Sequence, residues 1–263
     1  MDPAEFDRLV ERAGDSRLIP GIYNYCDGRC LRCPFTQRCL AYLDAQELKT
    51  PGDDDRSSGE AVGDSLQRTL EMLADVARRE GVDVGALVDE ANGTATGDAI
   101  ERHRHDPLAA RARDYGRLAW RIGRAIAPIA AARDDAPLLD AVETIEWFSS
   151  MIRSKLYRAI CGRAEGWEKG DEAQTDFNGS AKIALIGIGE SRRAWAVLME
   201  AGRATADGVP AQAVRVLVEL DAAVRERFPR VMEFVRPGFD EPEIAAGAPA
   251  PPPPSGARDR RAP

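Results

Sequence analysis

The sequence predicts an all-α protein, in which a small N-terminal cysteine-rich module precedes a C-terminal antiparallel four-helix bundle. Alanine, arginine and leucine are abundant and aromatic residues make up only 6% of the 263 residues, which favours helix over sheet. Apolar residues recur at helical spacing through most of the second half, and the segments between these runs are short. Four of the five cysteines, by contrast, crowd into the single segment from Tyr23 to Tyr42.

The N-terminal part, residues 1–50, is predicted to form the cysteine-rich module. The segment from Asp2 to Ala13 has amphipathic helical spacing, and a second helix is predicted to leave the cysteine loop between Phe35 and Lys49. The polar run at 51–60 contains glycine and proline and predicts a linker. From Ala61 to Glu80 the leucines return at helical spacing, so another helix is predicted there.

A helical domain is predicted over residues 61–235, with its long helices starting from residue 106. The pair Asp106–Pro107 is a strong helix start, while Pro128 is expected to kink or end the first long helix. The run TDFNGS supplies capping residues for the third, which extends from about Ser180 to Ala201, and Pro210 opens the fourth. The predicted inward faces are Leu108, Ala112, Tyr115, Leu118, Ile122, Ile126 and Ile129 on the first helix; Leu138, Val142, Ile145, Phe148, Ile152, Leu156 and Ile160 on the second; and Val214, Leu217, Val224 and Phe228 on the fourth. Four long helices joined by short loops imply an antiparallel bundle.

The third long helix contains an almost wholly apolar run that includes two glycines, Gly187 and Gly189. A glycine inside a helix costs about 1 kcal/mol relative to alanine. We therefore expect both glycines to permit the close approach of a neighbouring helix.

Composition also limits where the protein acts. The formal net charge is −8, which argues against a general nucleic-acid-binding coat because such proteins carry a basic footprint. The N-terminus has no apolar signal core, and the longest apolar run, Ile183 to Gly189, is too short to span a bilayer. We therefore expect no membrane association and a cytoplasmic location, where thiols stay reduced. The Pro/Ala-rich segment 236–263 cannot build a core and is predicted to be a disordered tail.

The cysteine spacing is C-x3-C-x2-C-x5-C, formed by Cys26, Cys30, Cys33 and Cys39. Disulfides would require an oxidising compartment, against which the missing signal sequence argues. Zinc accepts four thiolates in a tetrahedron, but all-cysteine zinc sites usually join two C-x2-C pairs across a longer segment, and only one such pair is present. A [4Fe-4S] cluster is larger than one ion, so closely spaced thiolates on one loop can surround it. The spacing therefore favours a [4Fe-4S] cluster, with zinc as the alternative.

The segment CLRCPFTQRC, from Cys30 to Cys39, resembles the C-x2-C-x5-C element of the iron–sulfur staple in RecB-family nucleases, including CRISPR-adaptation exonucleases. In that family three clustered cysteines and one distant cysteine hold a [4Fe-4S] cluster. The resemblance implies that Cys30, Cys33 and Cys39 are the clustered ligands and that Cys26 replaces the distant one. Glu47–Leu48–Lys49 has the spelling of the nuclease metal motif but lies at the end of a predicted helix, on the wrong side of the cysteines. The resemblance therefore implies cluster chemistry and not nuclease activity.

Basic and aromatic residues surround the four cysteines. Arg29, Arg32 and Arg38 outnumber Asp27 in this segment, and guanidinium groups would offset the negative charge of four thiolates. The aromatic residues could shield a metal centre from water or form the core of a small module. They are Tyr23, Tyr25, Phe35 and Tyr42.

Three functions are consistent with these residues. The favoured one is a metal-cluster-binding protein in a redox or accessory role, acting with a protein or redox partner. The first alternative is a helical interaction module that is stapled by zinc and has no catalytic activity. The second is an enzyme with a polar pocket between the second and third long helices, which would bind an anionic small molecule.

That polar pocket would contain Lys155, Arg158, Asp176 and Lys182. The competing interpretation is that the stems of these cations pass the core and place their charges in water. The sequence predicts no catalytic residue and no oligomeric state.

Overall fold

The computed structural model describes residues 7, 11–12, 14–47, 58–86, 103–166, 172–201 and 208–241. Every regular element in these ranges is a helix, and they contain no strand. The all-α prediction is confirmed. Within the same ranges, no helix combines the length and the apolar character that crossing a bilayer requires.

The chain divides into two compact units. The first contains Met1–Thr96 together with Pro237–Pro263, and the second contains Gly97–Arg236. The residues that follow 236 are thus grouped with the N-terminal part of the chain. The predicted division at 50, 60 and 235 stays a prediction.

In the first unit, three 3₁₀ turns, Ile22–Tyr25, Cys30–Arg32 and Thr36–Arg38, precede helix α1, Leu40–Glu47. The helix predicted to leave the cysteine loop is therefore present but starts later than Phe35. Its start is delayed because Cys39 has an extended backbone, with φ −112° and ψ 110°, which a helix cannot include.

Helix α2, Ser58–Glu80, follows in the same unit and starts inside the run predicted as a linker. Its leucines Leu66, Leu70 and Leu73 are 60%, 61% and 54% exposed, so they contribute no core to their own unit. The spacing of these leucines correctly predicts a helix, but it does not determine whether that face of the helix is buried.

Four long helices form the second unit: α3, Pro107–Ala132; α4, Ala136–Glu165; α5, Asp176–Glu200; and α6, Val209–Arg227. Side-chain caps start three of them, because Asp106, Asp135 and Thr175 accept hydrogen bonds from backbone N–H groups two or three residues ahead. The third helix begins earlier than the predicted Ser180 because Thr175 is the cap.

Helix α3 runs past Pro128 to Ala132, so this proline does not end the helix, and the predicted kink stays a prediction. Proline removes one backbone donor and frees the carbonyl one turn earlier. Pro128 lies on the exposed side of α3, where that carbonyl can be hydrated, while Ile126 and Ala130 stay buried.

The core of the second unit lies between these helices. Helix α3 packs against α4, α4 against α5, α5 against α6, and α6 against α3. All seven residues predicted on the inward face of α4 are buried. The largest buried side chains in this unit are Trp195, Tyr115, Phe148 and Phe228.

One of the two glycines of α5 permits close packing and the other does not. A Cβ atom at Gly187 would lie 2.9 Å from Cδ1 of Phe148 and 3.1 Å from Cγ1 of Ile152, both on α4. A Cβ atom at Gly189 would meet nothing within 4 Å. The expectation of close helix approach therefore holds for Gly187 alone.

Two terminal predictions fall largely outside the described residues. Of the helix predicted from Asp2 to Ala13, only Asp7, Glu11 and Arg12 are described, and they are helical. Of the segment 236–263, residues 236–241 are described, and 237–239 form a turn. The disorder of the tail stays a prediction.

Candidate metal centre

The cysteine segment folds back on itself through its turns. Gly21 and Gly28 both have φ +70°, a left-handed conformation that suits glycine and reverses the chain before and after the first turn. The Ile19 N–H group donates to the Arg38 carbonyl over 2.9 Å, which joins the start of the segment to its end. This closure brings residues distant along the segment to one place.

A small apolar cluster supports the fold. Ile19, Ile22 and Phe35 are buried together, and Cys33 and Cys39 pack against them. Because so few side chains are buried, this cluster supplies little of the free energy that a folded module needs.

The four predicted ligands face a common space. Cys26, Cys30, Cys33 and Cys39 all line one open-sided cavity of about 20 Å³. The other residues that line this cavity are Ile22, Tyr23, Asp27, Gly28, Arg29, Thr36, Tyr42 and Phe239. All five cysteines are free thiols, and the fifth, Cys161, lies on α4 in the second unit.

Within the part of the chain that the structure describes, no three His, Cys, Asp or Glu side chains are placed closely enough to hold a metal ion. The four cysteine side chains thus face the same space without lying at the distances from one another that a shared metal ion requires. Ligands commonly reach those distances only when the metal is bound, so the shared cavity is compatible with a metal site.

Burial shifts the protonation of three of the thiols. It raises the pKa of Cys26, Cys30 and Cys33, because a thiolate loses solvation in this partly enclosed space. Charges on neighbouring cysteines and on Asp27 raise these pKa values further. Cys26, Cys30 and Cys33 are therefore protonated at neutral pH when no metal is bound, and a bound metal would displace those protons.

Backbone donors partly offset this effect at two of the sulfurs. The Phe35 N–H group donates to Sγ of Cys33 over 3.4 Å, and this contact lowers the pKa of Cys33. A backbone hydrogen bond from Gly28 acts in the same direction on the pKa of Cys26. Such N–H···S hydrogen bonds stabilise a thiolate and are one means by which proteins tune metal–sulfur centres.

The charged and aromatic neighbours divide into two groups. Arg29 lines the cavity, whereas Arg38 donates from Nε to the Arg17 carbonyl over 3.1 Å and so helps close the segment. Tyr23 and Tyr42 line the cavity, whereas Phe35 belongs to the buried cluster beneath it. Of the three tyrosines predicted to shield the centre, Tyr23 and Tyr42 line the cavity and Tyr25 does not.

The sequence did not indicate Phe239. This residue lies far from the cysteines along the chain, in the segment predicted to be disordered, yet it lines the cavity and packs on the buried cluster. The only available signal was a lone aromatic residue in the run PGFDEPE that follows the last helix.

The residues of the predicted polar pocket lie apart from the cysteines in sequence and belong to the second unit. Arg158 and Asp176 form a two-pronged ion pair, with Nε–Oδ2 and Nη2–Oδ1 distances of 2.7 Å each. Lys182 donates from Nζ to the Phe234 carbonyl over 2.5 Å, and Lys155 is half-buried on α4 with a contact of its own. These charges are engaged within the protein, and the anion pocket stays a prediction.

Comparison with known proteins assigns no family. The chain matches no protein-family model, no curated protein and no solved structure. The cysteine cavity is therefore the feature from which we infer a function.

Proposed function

We propose that Cys26, Cys30, Cys33 and Cys39 bind an inorganic centre, a [4Fe-4S] cluster, in a redox or accessory role. The observation that carries this proposal is that all four side chains line the same cavity. Cysteine sulfur is the ligand that both iron–sulfur clusters and structural zinc use. Zinc is therefore the alternative guest for the same residues.

The residues of the cavity fit a negatively charged metal–sulfur centre. Four thiolates leave net negative charge on either guest, and the guanidinium group of Arg29 is in the cavity wall to offset it. Backbone N–H groups point at the sulfurs of Cys26 and Cys33. Tyr23 and Tyr42 supply ring surface that excludes water, which affects both the potential and the lifetime of a cluster.

Two arguments favour the cluster over zinc. The spacing from Cys30 to Cys39 is similar to the iron–sulfur staple of RecB-family nucleases. In addition, a zinc ion holds each sulfur at about 2.3 Å and so draws four thiolates into a small sphere, whereas a cluster spreads them over the corners of a larger cube. All four cysteines lie on one continuous segment, which suits the larger guest.

A structural contribution accompanies either guest. The buried cluster of the module consists of Ile19, Ile22 and Phe35, which is too small to stabilise a fold alone. Metal binding to a loop that is otherwise marginal contributes to its folding free energy. When bound, a [4Fe-4S] cluster also supplies one-electron chemistry, and a cytoplasmic setting would keep its ligands reduced.

We also interpret α3–α6 as an antiparallel four-helix bundle. Gly162 on α4 lies near Phe177 at the start of α5, whereas Phe148, earlier on α4, contacts Gly187 later on α5. Successive residues of α4 thus contact residues of α5 in the reverse order, as expected for two antiparallel helices. The bundle would offer surface to a partner.

Metal and sulfide analysis tests the proposal. The full chain is purified without oxygen, and its visible absorption and its iron, sulfide and zinc contents are measured. We expect a brown protein with broad visible absorption and iron and sulfide in equal amounts. A colourless protein with one zinc per chain would select the alternative guest, and a protein with neither metal would overturn the proposal.

Substitution of one ligand tests which residues hold the centre. Cys33→Ser should lose most of the bound metal, because a hydroxyl is a poor substitute for a thiolate and the Phe35 N–H group loses its sulfur partner. Cys161→Ser is the matched control, since that cysteine lies on α4 in the other unit. Equal metal content in the two variants would show that the cysteine cavity is not the site.

A further inference from the structure

The segment that follows the second unit returns to the cysteine module. Residues 237–241, here called the strap, belong to the first unit, and they begin where the sequence predicted a disordered tail. Phe239 is the strap residue that lines the cysteine cavity. Among the described residues that line the cavity, Phe239 is the one that lies outside the segment 22–42.

Aromatic packing holds the ring of Phe239 in place. Its centroid lies 5.1 Å from that of Phe35 and the two ring planes are at 87°, an edge-to-face arrangement. Such pairs are favoured because the positive edge of one ring meets the negative face of the other. Phe239 also packs beside Cys33 and Cys39 on the buried cluster.

Gly238 lets the strap approach the module closely. Its φ of +77° favours glycine, and a Cβ atom there would lie 3.0 Å from Cδ1 of Ile19 and 3.1 Å from Cδ1 of Ile22. The Gly238 N–H group donates to Oε2 of Glu241 over 2.6 Å, which closes the strap into a turn. The backbone conformation of Gly238, its close contact with the two isoleucines and its hydrogen bond to Glu241 thus all fit the same position of the strap on the module.

We propose that the strap is a removable wall of the cysteine cavity, in which Phe239 shields the bound centre from water and oxidants. This inference rests on the proposed function for the nature of the guest, but not for the shielding itself. Phe239 packs on Phe35 through its ring and Gly238 lies close against Ile19, whereas Cys26 to Cys39 lie in a segment closed by its own backbone hydrogen bonds. Opening of the strap therefore does not require the backbone hydrogen bonds of that segment to break, and it exposes the sulfurs.

Thiol accessibility tests the wall directly and needs no metal. The metal-free, reduced full chain is treated with a chromogenic disulfide reagent under native conditions, and the modification rate of the four cysteines is followed. In Phe239→Ala the rate should rise about tenfold, as expected when a local opening becomes easier, and Phe239→Leu should lie between this variant and the wild type. Leu31→Ala is the control, because Leu31 is 76% exposed between Cys30 and Cys33 and is not part of the cavity wall.

A glycine pair provides a second variant that keeps the ring. Gly238→Ala should raise the thiol modification rate because both the backbone and the isoleucine contacts resist a Cβ atom. Gly81→Ala carries a similar backbone penalty at φ +67° in the same unit but meets nothing within 4 Å, so it should leave the rate unchanged. Equal rates for both alanine variants would overturn the close-approach argument.

Amide hydrogen exchange separates a lifted strap from an unfolded module. The Ile19 N–H bond to Arg38 should keep its protection in Phe239→Leu while thiol reactivity rises. If protection of Ile19 is lost in step with thiol reactivity, Phe239 is an ordinary core residue and the removable wall is wrong. If the thiol rate does not change in either Phe239 variant, the shielding is wrong.

The metal-loaded protein provides the second readout. Exposed to air, loaded Phe239→Ala should bleach or lose metal several-fold faster than the wild type, and Leu31→Ala should not. Failure of the two ideas is distinguishable: a chain without metal overturns the proposed function while the thiol rates still decide the wall. Bound metal with unchanged thiol and bleaching rates overturns the wall and leaves the proposed function intact.

Discussion

Tyr115 shows how one buried polar group connects sequence, packing and pH. The side chain is fully buried on α3, and its Oη accepts a hydrogen bond from Nε1–H of Trp195 on α5 over 3.2 Å. Burial raises the pKa of Tyr115 to about 12, because the phenolate cannot be solvated in the core. The folded state therefore holds the phenol proton more tightly than the unfolded chain does.

This difference predicts a loss of stability at high pH. Below the unfolded pKa of about 10 both states are protonated, so Tyr115 adds no pH dependence. Between about pH 10 and 12 only the unfolded chain ionises this residue, and the free energy of unfolding should fall by up to about 2–3 kcal/mol. Urea unfolding, followed by far-UV circular dichroism across this range, measures the slope.

Two tyrosine variants assign that slope to the buried residue. Tyr115→Phe should be less stable near neutral pH by about 1–3 kcal/mol, since the Trp195 N–H group loses its acceptor. The variant should lose less stability on going to high pH than the wild type. Tyr23→Phe, at a position 44% exposed, should keep the wild-type slope. An unchanged slope in Tyr115→Phe would contradict the assignment.

At the scale of elements, the contact between α4 and α5 depends on a missing side chain. Phe148 and Ile152 of α4 are buried against Gly187, where even a methyl group would stand 2.9 Å from the phenylalanine ring. Protein cores are close-packed, so neither neighbour can move freely to make room. Gly123 differs, because its close neighbour is the carboxylate end of the exposed and flexible Glu146.

Alanine substitutions on α5 should therefore act in opposite directions. Gly187→Ala adds helix propensity worth about 1 kcal/mol but overpacks the core by about 1–3 kcal/mol, so we expect net destabilisation. Gly189→Ala meets no atom within 4 Å and should stabilise the helix by up to about 1 kcal/mol. Urea unfolding of the two single variants measures both. Stabilisation by Gly187→Ala would show that the helices separate easily at this contact.

The helices also show which features of a fold can be predicted from a sequence. All seven residues of α4 that the apolar period predicted to face inward are buried, because a helix packed on several neighbours must bury a continuous stripe. The period also identified α2 but not the exposure of Leu66, Leu70 and Leu73, since periodicity says nothing of whether a partner exists. The effect of Pro128 depended on which side of α3 faced water, which its own position in the sequence did not reveal.

The candidate metal centre likewise has features that the sequence predicts and features that it does not. The shared cavity of the four cysteines followed from local spacing, because short turns bring nearby residues together. Phe239 could not be predicted, since its contact joins residues about 200 positions apart in sequence. The prediction of a polar pocket named charged residues without identifying what each one contacts. Arg158 and Asp176 form an ion pair with each other.

The whole molecule combines two units whose stability has different sources. The second unit buries a large apolar core among α3–α6, including Tyr115, Phe148, Trp195 and Phe228. The cysteine module of the first unit buries Ile19, Ile22 and Phe35. Because hydrophobic stabilisation scales with buried apolar area, the long helices have a sufficient core of their own and the cysteine module does not.

Removal of the bound centre should therefore affect the two units unequally. We expect a chelator under reducing conditions to lower hydrogen-exchange protection in residues 14–47 several-fold, because metal binding contributes to the folding free energy of that module. Protection in 107–165 and 176–227 should stay close to that of the loaded protein, as these helices are stabilised by their own core. Peptide-resolved exchange on the intact chain, before and after chelation, measures both regions together. Parallel loss of protection in both would mean that the bound centre supports the entire protein, and retained protection in 14–47 would mean that the small apolar cluster is sufficient.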